Sequence, residues 1–289
     1  MTTPIEASGT FTLGAQGADP MTIRRLGFGA MRITGDGIWG DPADHDTAIA
    51  VLRKAVELGV DFIDTADSYG PFVSEDLIRE ALHPYDHVLI ATKGGLTRQG
   101  PDMWEPVGRA HYLRQCVHMS LRRLGVDRID LWQLHRIDPR TSREEQFGEI
   151  AALQKEGLIR HVGLSEVTVD DVIEAQNHFE VVSVQNLYNV GARDAEALAQ
   201  YSTENGIGFI PWFPLGNRAL LGADGPLAAI AARVGATPGQ VALAWLLQHS
   251  PVMLPIPGTG SISHLVENCD AALVHLDEAT VAELDALAG

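Results

Sequence analysis

Short apolar segments alternate with longer segments of helical periodicity from about residue 26 to the C-terminal region. The helical segments place apolar residues every three or four positions, as in DTAIAVLRKAVELG, which predicts a helix from about 45 to 58 that ends at Gly59. The short segments are β-branched and apolar at successive positions, which is typical of parallel strands covered by helices. In chain order they are LGFGAM, VDFID, HVLIATK, IDLWQLH, IRHVGLS, VVSVQN, IGFIPWF and VMLPIP. This alternation predicts an α/β fold with a parallel sheet.

Eight strand-then-helix units favour a closed barrel over an open sheet. The 289 residues contain no Ser/Gly/Pro-rich linker, so we predict a single (β/α)8 TIM barrel domain over residues 1–289. Before the barrel, TFTL (10–13) and MTIRRL (21–26) flank a Gly/Asp/Pro-containing turn and predict an N-terminal β-hairpin. A last helix is predicted to begin near Ser263.

The barrel prediction locates a candidate active site, because such sites lie at the C-terminal ends of the strands. Polar and aromatic residues follow six of the predicted strands: Asp64, Lys93, His135, Ser165, Gln185 and Trp212. Tyr69 comes five residues after Asp64 in the loop DTADSYG. Taken singly, Asp64 could be a helix N-cap, His135 a satisfied buried histidine and Tyr69 a rim aromatic. Their matching positions at one end of a barrel predict a catalytic group instead.

The segments FIDTADSYG, IATKGG, LWQLHRID and GLSEVT resemble, in order and spacing, the signature segments of the aldo-keto reductase family. The resemblance extends from LGFGAMR near residue 26 to LVENCDAA near residue 272. It implies a catalytic tetrad of Asp64, Tyr69, Lys93 and His135, and a nicotinamide cofactor that delivers hydride to a carbonyl carbon.

The residue types suit this chemistry. The phenol of Tyr69 has an unperturbed pKa of about 10, and a cationic Lys93 beside it would lower that pKa by favouring phenolate. Asp64 would keep Lys93 charged and oriented. His135 would donate a hydrogen bond to the substrate carbonyl and help to polarise it.

The resemblance also implies that the cofactor lies extended across the strand ends. Its nicotinamide end is expected near the first strand end, the amide-binding positions and a stacking aromatic: Gly29, Ala30, Met31, Asp64, Ser165, Glu166, Gln185 and Trp212. Glu166 departs from the asparagine of the family, because a carboxylate accepts from the amide NH₂ but cannot donate to its carbonyl. Trp212 has the alternative of being a core tryptophan. Pro214, Leu215 and Asn217 are expected to border the pyrophosphate.

The segment IPGTGSISHLVEN (256–268) resembles the adenosine-phosphate site of the family. Gly258, Thr259 and Gly260 would offer backbone N–H groups before a helix N-terminus, where anions bind well. Glu267 and Asn268 are expected to contact the adenine. Gly258 and His264 stand where a lysine and an arginine often hold the 2′-phosphate. The resemblance favours NADPH, and the loss of both cations leaves NADH open.

GDGIWG (35–40) imitates the G-x-G-x-x-G fingerprint of Rossmann domains. The predicted strand ends near Met31, three residues before the first glycine, whereas the fingerprint needs that glycine at the turn itself. Asp41 and Pro42 follow the last glycine and move the helix start beyond it. We therefore interpret these glycines as a flexible rim loop.

The net charge and the cysteine count limit which partners and cofactors the protein is expected to bind. The formal net charge is −17 and the pI about 4.9, which argues against nucleic acid or an anionic membrane surface as a partner. Cys116 and Cys269 are too few for a disulfide framework or a cysteine-rich metal site, so we expect two reduced thiols and no metal. The N-terminus lacks the regions of a signal peptide, which predicts a cytoplasmic protein. The oligomeric state is left open and is compatible with a monomer.

Two other functions remain to be separated from carbonyl reduction. Lys93 at a strand end could form a Schiff base in a lyase, and a barrel of this kind could hold nicotinamide as a non-catalytic regulator.

The substrate is expected to be a small or aromatic aldehyde or ketone. Its pocket would be walled by Met31, Trp39, Tyr69, Phe72, Trp104 and Arg136. The pattern that includes WFPLG and IPGT resembles the bacterial branch containing pyridoxal reductases, which makes pyridoxal a named candidate.

Overall fold

The computed structural model describes residues 3–222 and 224–287. The strands are β1 Thr10–Leu13, β2 Met21–Arg24, β3 Phe28–Gly29, β4 Phe62–Asp64, β5 Leu89–Gly94, β6 Leu96–Gly100, β7 Met103–Pro106, β8 Ile129–Leu134, β9 Ile159–Ser165, β10 Val181–Leu187 and β11 Gly208–Trp212. The helices are α1 His45–Glu57, α2 Val73–Leu82, α3 Ala110–Leu124, α4 Arg143–Lys155, α5 Val169–Ala175, α6 Glu196–Asn205, α7 Arg218–Leu221, α8 Pro226–Val234, α9 Pro238–His249, α10 Ile262–Asp270 and α11 Glu278–Asp285. Short 3-10 turns add Pro4–Ser8, Ala30–Ile33, Asp36–Ile38 and Ala271–Leu273.

Seven parallel strands form one curved sheet in the order β3-β4-β5-β8-β9-β10-β11. Residues 252–256 fill the gap between its two edges. The N–H of Phe209 donates to the carbonyl of Val252 at 2.8 Å, and on the other side the N–H of Gly27 donates to the carbonyl of Pro255 at 2.9 Å. The predicted eighth strand therefore closes the barrel. It makes an isolated bridge to β11, between Phe209 and Met253, and Pro211 of β11 has no N–H with which to extend that ladder.

Apolar side chains from the strands and from the N-terminal hairpin pack together inside the barrel. They form a cluster of Leu13, Ile23, Phe62, Leu89, Ala91, Leu131, Val182, Ile210, Leu254 and Ile256. Leu13 and Ile23 come from the predicted hairpin, in which β1 pairs antiparallel with β2. The N–H of Arg24 donates to Asp61 just before β4, so the hairpin covers the end where the strands begin. The open mouth of the barrel is therefore the one at the C-terminal ends of the strands.

The helix starts follow local sequence signals. The Asp44 side chain accepts from the N–H of Thr47 and caps α1, and Thr168 and Thr237 form capping boxes at α5 and α9. Because α1 begins only at His45, no α-helix starts at GDGIWG, as the interpretation of these residues as a loop requires.

Several elements lie outside the predicted alternation. The hairpin β6–β7 is inserted between β5 and α3, and α7 and α11 add to the predicted helices. α10 occupies the place predicted for a last helix near Ser263, and α11 follows it. The short alternating strands LTRQG and MWEP carry charged residues at the rim, and the apolar pattern of the barrel strands does not reveal them.

Among the described residues no single helix has the length and apolar character to cross a membrane. The pair α8 and α9 would pass together on length and composition but is bent by 84° at its break. Over the same residues no three His, Cys, Asp or Glu side chains are grouped so as to hold a metal ion.

Candidate active site

The four residues predicted as a tetrad meet at the open mouth of the barrel. The Nζ of Lys93 donates to Oδ1 of Asp64 at 2.5 Å, to the carbonyl of Thr65 at 3.0 Å and to the hydroxyl of Tyr69 at 3.2 Å. The ring of His135 packs edge-on against that of Tyr69, with centroids 5.9 Å apart. Lys93 and Asp64 are buried almost completely and Tyr69 is 7 % exposed, so of these three side chains the phenol is the one that reaches the mouth.

Asp64 is held by two amides as well as by Lys93. Its Oδ2 accepts from Nε2 of Gln133 and from Nε2 of Gln185, both at 2.9 Å. A buried carboxylate is costly unless its lone pairs are filled, and here three donors fill them. The carboxylate is therefore fixed as the counter-ion of the buried ammonium.

The acidity of Tyr69 reflects opposing influences. Burial raises its pKa above the ordinary value, and the Lys93 ammonium lowers it without cancelling the rise. The influence of Lys93 thus has the predicted sign, but the net shift of Tyr69 is upward. Burial alone would lower the pKa of Lys93, and Asp64 and Tyr69 outweigh it, so the lysine stays charged.

His135 is neutral in this site. Burial, together with the nearby cations Lys93, Arg136 and Arg98, holds its pKa well below the ordinary value. The Ser68 hydroxyl lies 3.2 Å from Nδ1 of the ring. If Ser68 donates to Nδ1, the ring proton is on Nε2, where it can be donated to a ligand.

Arg98 ties the rim loops together around this centre. All five of its N–H groups are engaged by backbone carbonyls, those of Gly37, Ile38, Ser68, Gly100 and Met103, at 2.7–3.3 Å. Its guanidinium also lies 3.6 Å from the ring centroid of Trp104 and 5.6 Å from that of Trp39. Trp104 in turn contacts Tyr69 and His135 edge-on, with centroids 6.4 Å away in each case. Arg98 thereby holds two of the predicted pocket walls, Trp39 and Trp104, and Trp104 lies beside Tyr69 and His135.

The next strand ends carry the residues predicted to bind the amide of the cofactor. Ser165 ends β9 and is 2 % exposed, and Gln185 lies in β10 beside it, with the two residues paired in register. Glu166 has a φ of +56°. Its Oε1 accepts from the N–H of Leu187 at 2.9 Å and from Nε1 of Trp212 at 2.5 Å. The carboxylate that departed from the family pattern is therefore used to position the Trp212 indole.

The first strand and the segment at 256–260 meet backbone to backbone. A Cβ on Gly29 would lie 2.6 Å from the carbonyl oxygen of Ile256, and one on Gly258 would lie 2.5 Å from that of Gly29. Only glycine fits at these two positions. The contact brings Gly29, Ala30 and Met31 next to the predicted phosphate segment.

The model of the Aldo/keto reductase family matches residues 25–288, nearly the whole chain. The chain belongs to the aldo/keto reductase family.

Two curated relatives and one solved structure illustrate this membership. An uncharacterised oxidoreductase of Schizosaccharomyces pombe is 57 % identical over 265 residues, which cover 92 % of this chain and 87 % of the relative. Pyridoxine 4-dehydrogenase of Escherichia coli is 43 % identical over 288 residues, covering 97 % of this chain and 99 % of that protein. An aldo/keto reductase of Klebsiella pneumoniae, crystallised with NADP and acetate, superposes with a TM-score of 0.78 at 25 % identity over 96 % of this chain and 94 % of its own.

In this aldo/keto reductase the predicted adenosine-phosphate segment leads into α10. Thr259 is buried, and its Oγ1 accepts from the N–H of Ser261. The side chain of Ser261 accepts in turn from the N–H of His264 and so caps the N-terminus of α10. His264 is exposed at the first turn. A Cβ on Gly258 would lie 3.7 Å from the side-chain Cγ of Arg32, and a Cβ on Gly260 would lie 3.5 Å from the carbonyl oxygen of Arg32.

The other predicted contacts in the aldo/keto reductase lie nearby with partners of their own. Glu267 accepts from the hydroxyl of Thr237 at 2.6 Å, and Asn268 is buried in α10. Asn217 accepts from the N–H groups of Ala219 and Leu220 and so begins α7. Pro214 is buried and Leu215 half-buried in the same loop.

Sequence reasoning missed three contributors to this site, Ser68, Arg98 and Gln133. It named Arg136 as a pocket wall but did not foresee its hydrogen bond to Ser165. Gln133 could have been found, because a polar residue two positions before His135 in a buried strand points into the barrel with it. Arg98 had no such signal, since its partners lie in three separate loops. The two cysteines are free and buried in α3 and α10, as predicted.

Proposed function

We propose that this chain is an NADPH-dependent oxidoreductase that reduces the carbonyl group of small or aromatic aldehydes and ketones to an alcohol. One observation carries the proposal: a buried ammonium, Lys93, bridges the carboxylate of Asp64 and the hydroxyl of Tyr69 at the mouth of the barrel. When bound, the nicotinamide cofactor supplies a hydride to the carbonyl carbon.

The chain's own residues handle the proton. The O–H bond of Tyr69 breaks and its proton passes to the carbonyl oxygen, which leaves the electron pair on the phenolate. Lys93 stabilises this phenolate, and Asp64 remains the counter-ion of Lys93 throughout. Neutral His135 donates a hydrogen bond to the same carbonyl oxygen and so favours the charge that develops there. A proton from water then restores Tyr69.

The residues present fit a nicotinamide dinucleotide. Ser165 and Gln185 leave polar atoms at the mouth, and Thr259 and Gly260 precede the N-terminus of α10, where backbone N–H groups favour a phosphate. The Klebsiella pneumoniae reductase holding NADP supports NADPH as the physiological form. NADH remains the comparison to make, because Gly258 and His264 supply no fixed cation.

We propose aromatic aldehydes, with pyridoxal as the first to test, as the substrate class. The support is the 43 % identity to the pyridoxine 4-dehydrogenase of Escherichia coli. The indole of Trp104 lies edge-on to Tyr69. The indoles of Trp104 and Trp39 both lie against Arg98, and their aromatic surfaces suit a planar ring.

The lyase alternative conflicts with the environment of Lys93. A Schiff base requires a neutral amine, whereas Asp64 and Tyr69 raise the pKa of Lys93 and fill its donor directions. Borohydride trapping with an aldehyde is expected to leave Lys93 unmodified. A peptide map that shows the reduced aldehyde adduct on Lys93 would support the lyase function instead.

The deciding experiment measures turnover of NADPH and NADH against a panel of aldehydes that includes pyridoxal, with Tyr69→Phe as the variant. We expect reduction with NADPH, a loss of roughly 10²–10⁴-fold in kcat for Tyr69→Phe, and an unchanged Kd for NADPH. Tyr112→Phe, on α3, is the matched control and should retain activity. Wild-type rates in Tyr69→Phe would refute the proton-donor role, and tight NADPH binding without turnover would indicate a regulatory barrel.

A further inference from the structure

Arg136 lies between the catalytic centre and the amide-binding group. It follows His135 directly, and its Nη1 donates to the carbonyl of His135 at 2.6 Å and to Oγ of Ser165 at 3.0 Å. Within residues 3–222 and 224–287 no carboxylate forms an ion pair with it, and Nε and Nη2 have no hydrogen-bond acceptor. A half-buried guanidinium with donors to spare indicates an acceptor that the protein itself does not supply.

The contact also determines what Ser165 can do. Because its oxygen accepts from Arg136, its hydroxyl hydrogen must be donated elsewhere. No acceptor for that hydrogen lies in the part of the chain that the structure describes, although Ser165 is 2 % exposed. A buried hydroxyl without an acceptor is costly, so this O–H also points to a ligand.

The neighbouring side chains of Glu166 and Gln185 offer no further hydrogen-bond donor to a ligand. Glu166 is an acceptor, and its Oε1 is already occupied by Leu187 and Trp212. Gln185 donates its Nε2 to Asp64 and Gln133, which leaves Oε1 as the free atom of its amide. One side of the site thus offers two donors, Arg136 and Ser165, and the other offers an acceptor. This is the complement of a carboxamide, with its carbonyl on the first side and its NH₂ on the second.

We propose that Arg136, together with Ser165, binds the carbonyl oxygen of the cofactor's carboxamide and so orients the nicotinamide ring. Arg136 thereby takes over the donor function that Glu166 cannot perform. This inference rests on the proposed function, because it presumes a nicotinamide cofactor.

The test compares two ligands by isothermal titration, which does not depend on turnover. NADPH carries the carboxamide, whereas 2′,5′-ADP carries only the adenosine-phosphate half. For Arg136→Met we expect the Kd for NADPH to rise roughly tenfold or more, as for the loss of a hydrogen bond to a charged donor, with the Kd for 2′,5′-ADP unchanged within about twofold. Ser165→Ala should also weaken NADPH binding, and the double variant should lose less than the product of the two effects.

Arg53→Met, an exposed arginine on α1, is the matched control and should bind both ligands as the wild type does. Arg136→Lys serves if the methionine variant does not fold. It keeps the charge but loses the planar fork that reaches both acceptors, so NADPH binding should fall several-fold.

Two outcomes would overturn the inference. The first is an unchanged NADPH affinity in the Arg136 variants; a KM raised for 2-carboxybenzaldehyde but not for benzaldehyde would then assign Arg136 to an anionic substrate. The second is an equal loss of affinity for both ligands, which would mean general damage to the site. A wild-type protein that fails to bind NADPH would instead refute the proposed function before any variant is compared.

Discussion

Asp67 is a buried carboxyl group in the loop that leads from Asp64 to Tyr69. It is 3 % exposed, and its Oδ1 finds no hydrogen-bond partner among the described residues. Burial and the neighbouring Glu75 raise its pKa to about 7, against the opposing influence of Cys116 and Arg123. Charge at this position is therefore unfavourable, and the loop that presents Tyr69 depends on a carboxyl group that prefers to be neutral.

Asp67→Asn is predicted to change how stability depends on pH. A carboxyl whose folded pKa exceeds its unfolded pKa stabilises the protein fully below about pH 4, and this contribution is lost as the pH rises toward 7. Asparagine does not titrate, so the advantage of the variant in unfolding free energy should grow by up to about 4 kcal/mol between pH 4 and pH 7. Urea denaturation across that range measures it, with exposed Asp170→Asn as the control. A constant difference between variant and wild type would contradict the assignment.

At the scale of elements, the hairpin β6–β7 forms one side of the open mouth, where we propose that the substrate binds. It projects from the end of β5, the strand that carries Lys93, and it places Trp104 against Tyr69 and His135. Arg98 holds the hairpin to the 37–38 turn and to the loop of Ser68, the residue that contacts His135. Through Arg98 the position of Trp104 is thus linked to that of Ser68, which contacts the imidazole of His135.

Arg98→Lys is predicted to damage substrate binding more than cofactor binding. A lysine has three donors and no plane, so it cannot satisfy five carbonyls or stack between the two indoles. We expect KM for aromatic aldehydes to rise roughly tenfold, since the loss of one or two hydrogen bonds to a charged group is involved, while the Kd for NADPH stays within about twofold. Steady-state kinetics and titration separate the two, and Arg53→Lys is the control. Equal changes in both constants would argue against a role confined to the pocket.

At the scale of the whole molecule, two features stand out: how the barrel closes and where its charges lie. The seam at residues 252–256 joins the first and last strands through few hydrogen bonds, and Gly29 and Gly258 let the backbones touch there. The net charge is −17, yet Lys93, Arg98 and Arg136 gather at the open mouth. The acidic surface repels anions generally, and these three cations make the surroundings of His135 locally positive.

Gly29→Ala is predicted to destabilise the fold by about 1–3 kcal/mol, as overpacking of a closed interior does. The added methyl would lie 2.6 Å from the carbonyl oxygen of Ile256, a backbone atom that cannot move aside cheaply. Gly148→Ala, in α4 where a Cβ meets nothing within 4 Å, is the control and should stabilise by about 0.5–1 kcal/mol. Urea denaturation compares the two. A Gly29→Ala variant as stable as Gly148→Ala would show that the seam has room.

The sequence by itself determined the alternation of strands and helices, and with it the mouth at which Asp64, Lys93, His135 and Ser165 lie. This follows because strand ends are local features, and parallel strands bring their C-terminal ends to one edge whatever the remaining contacts are. Only the tertiary structure decided that Gln185 contacts Asp64, 121 positions away, or that Glu166 turns to Trp212. Such contacts join residues far apart in the chain, so no periodicity records them, and burial and hydrogen-bond geometry select them when the barrel closes.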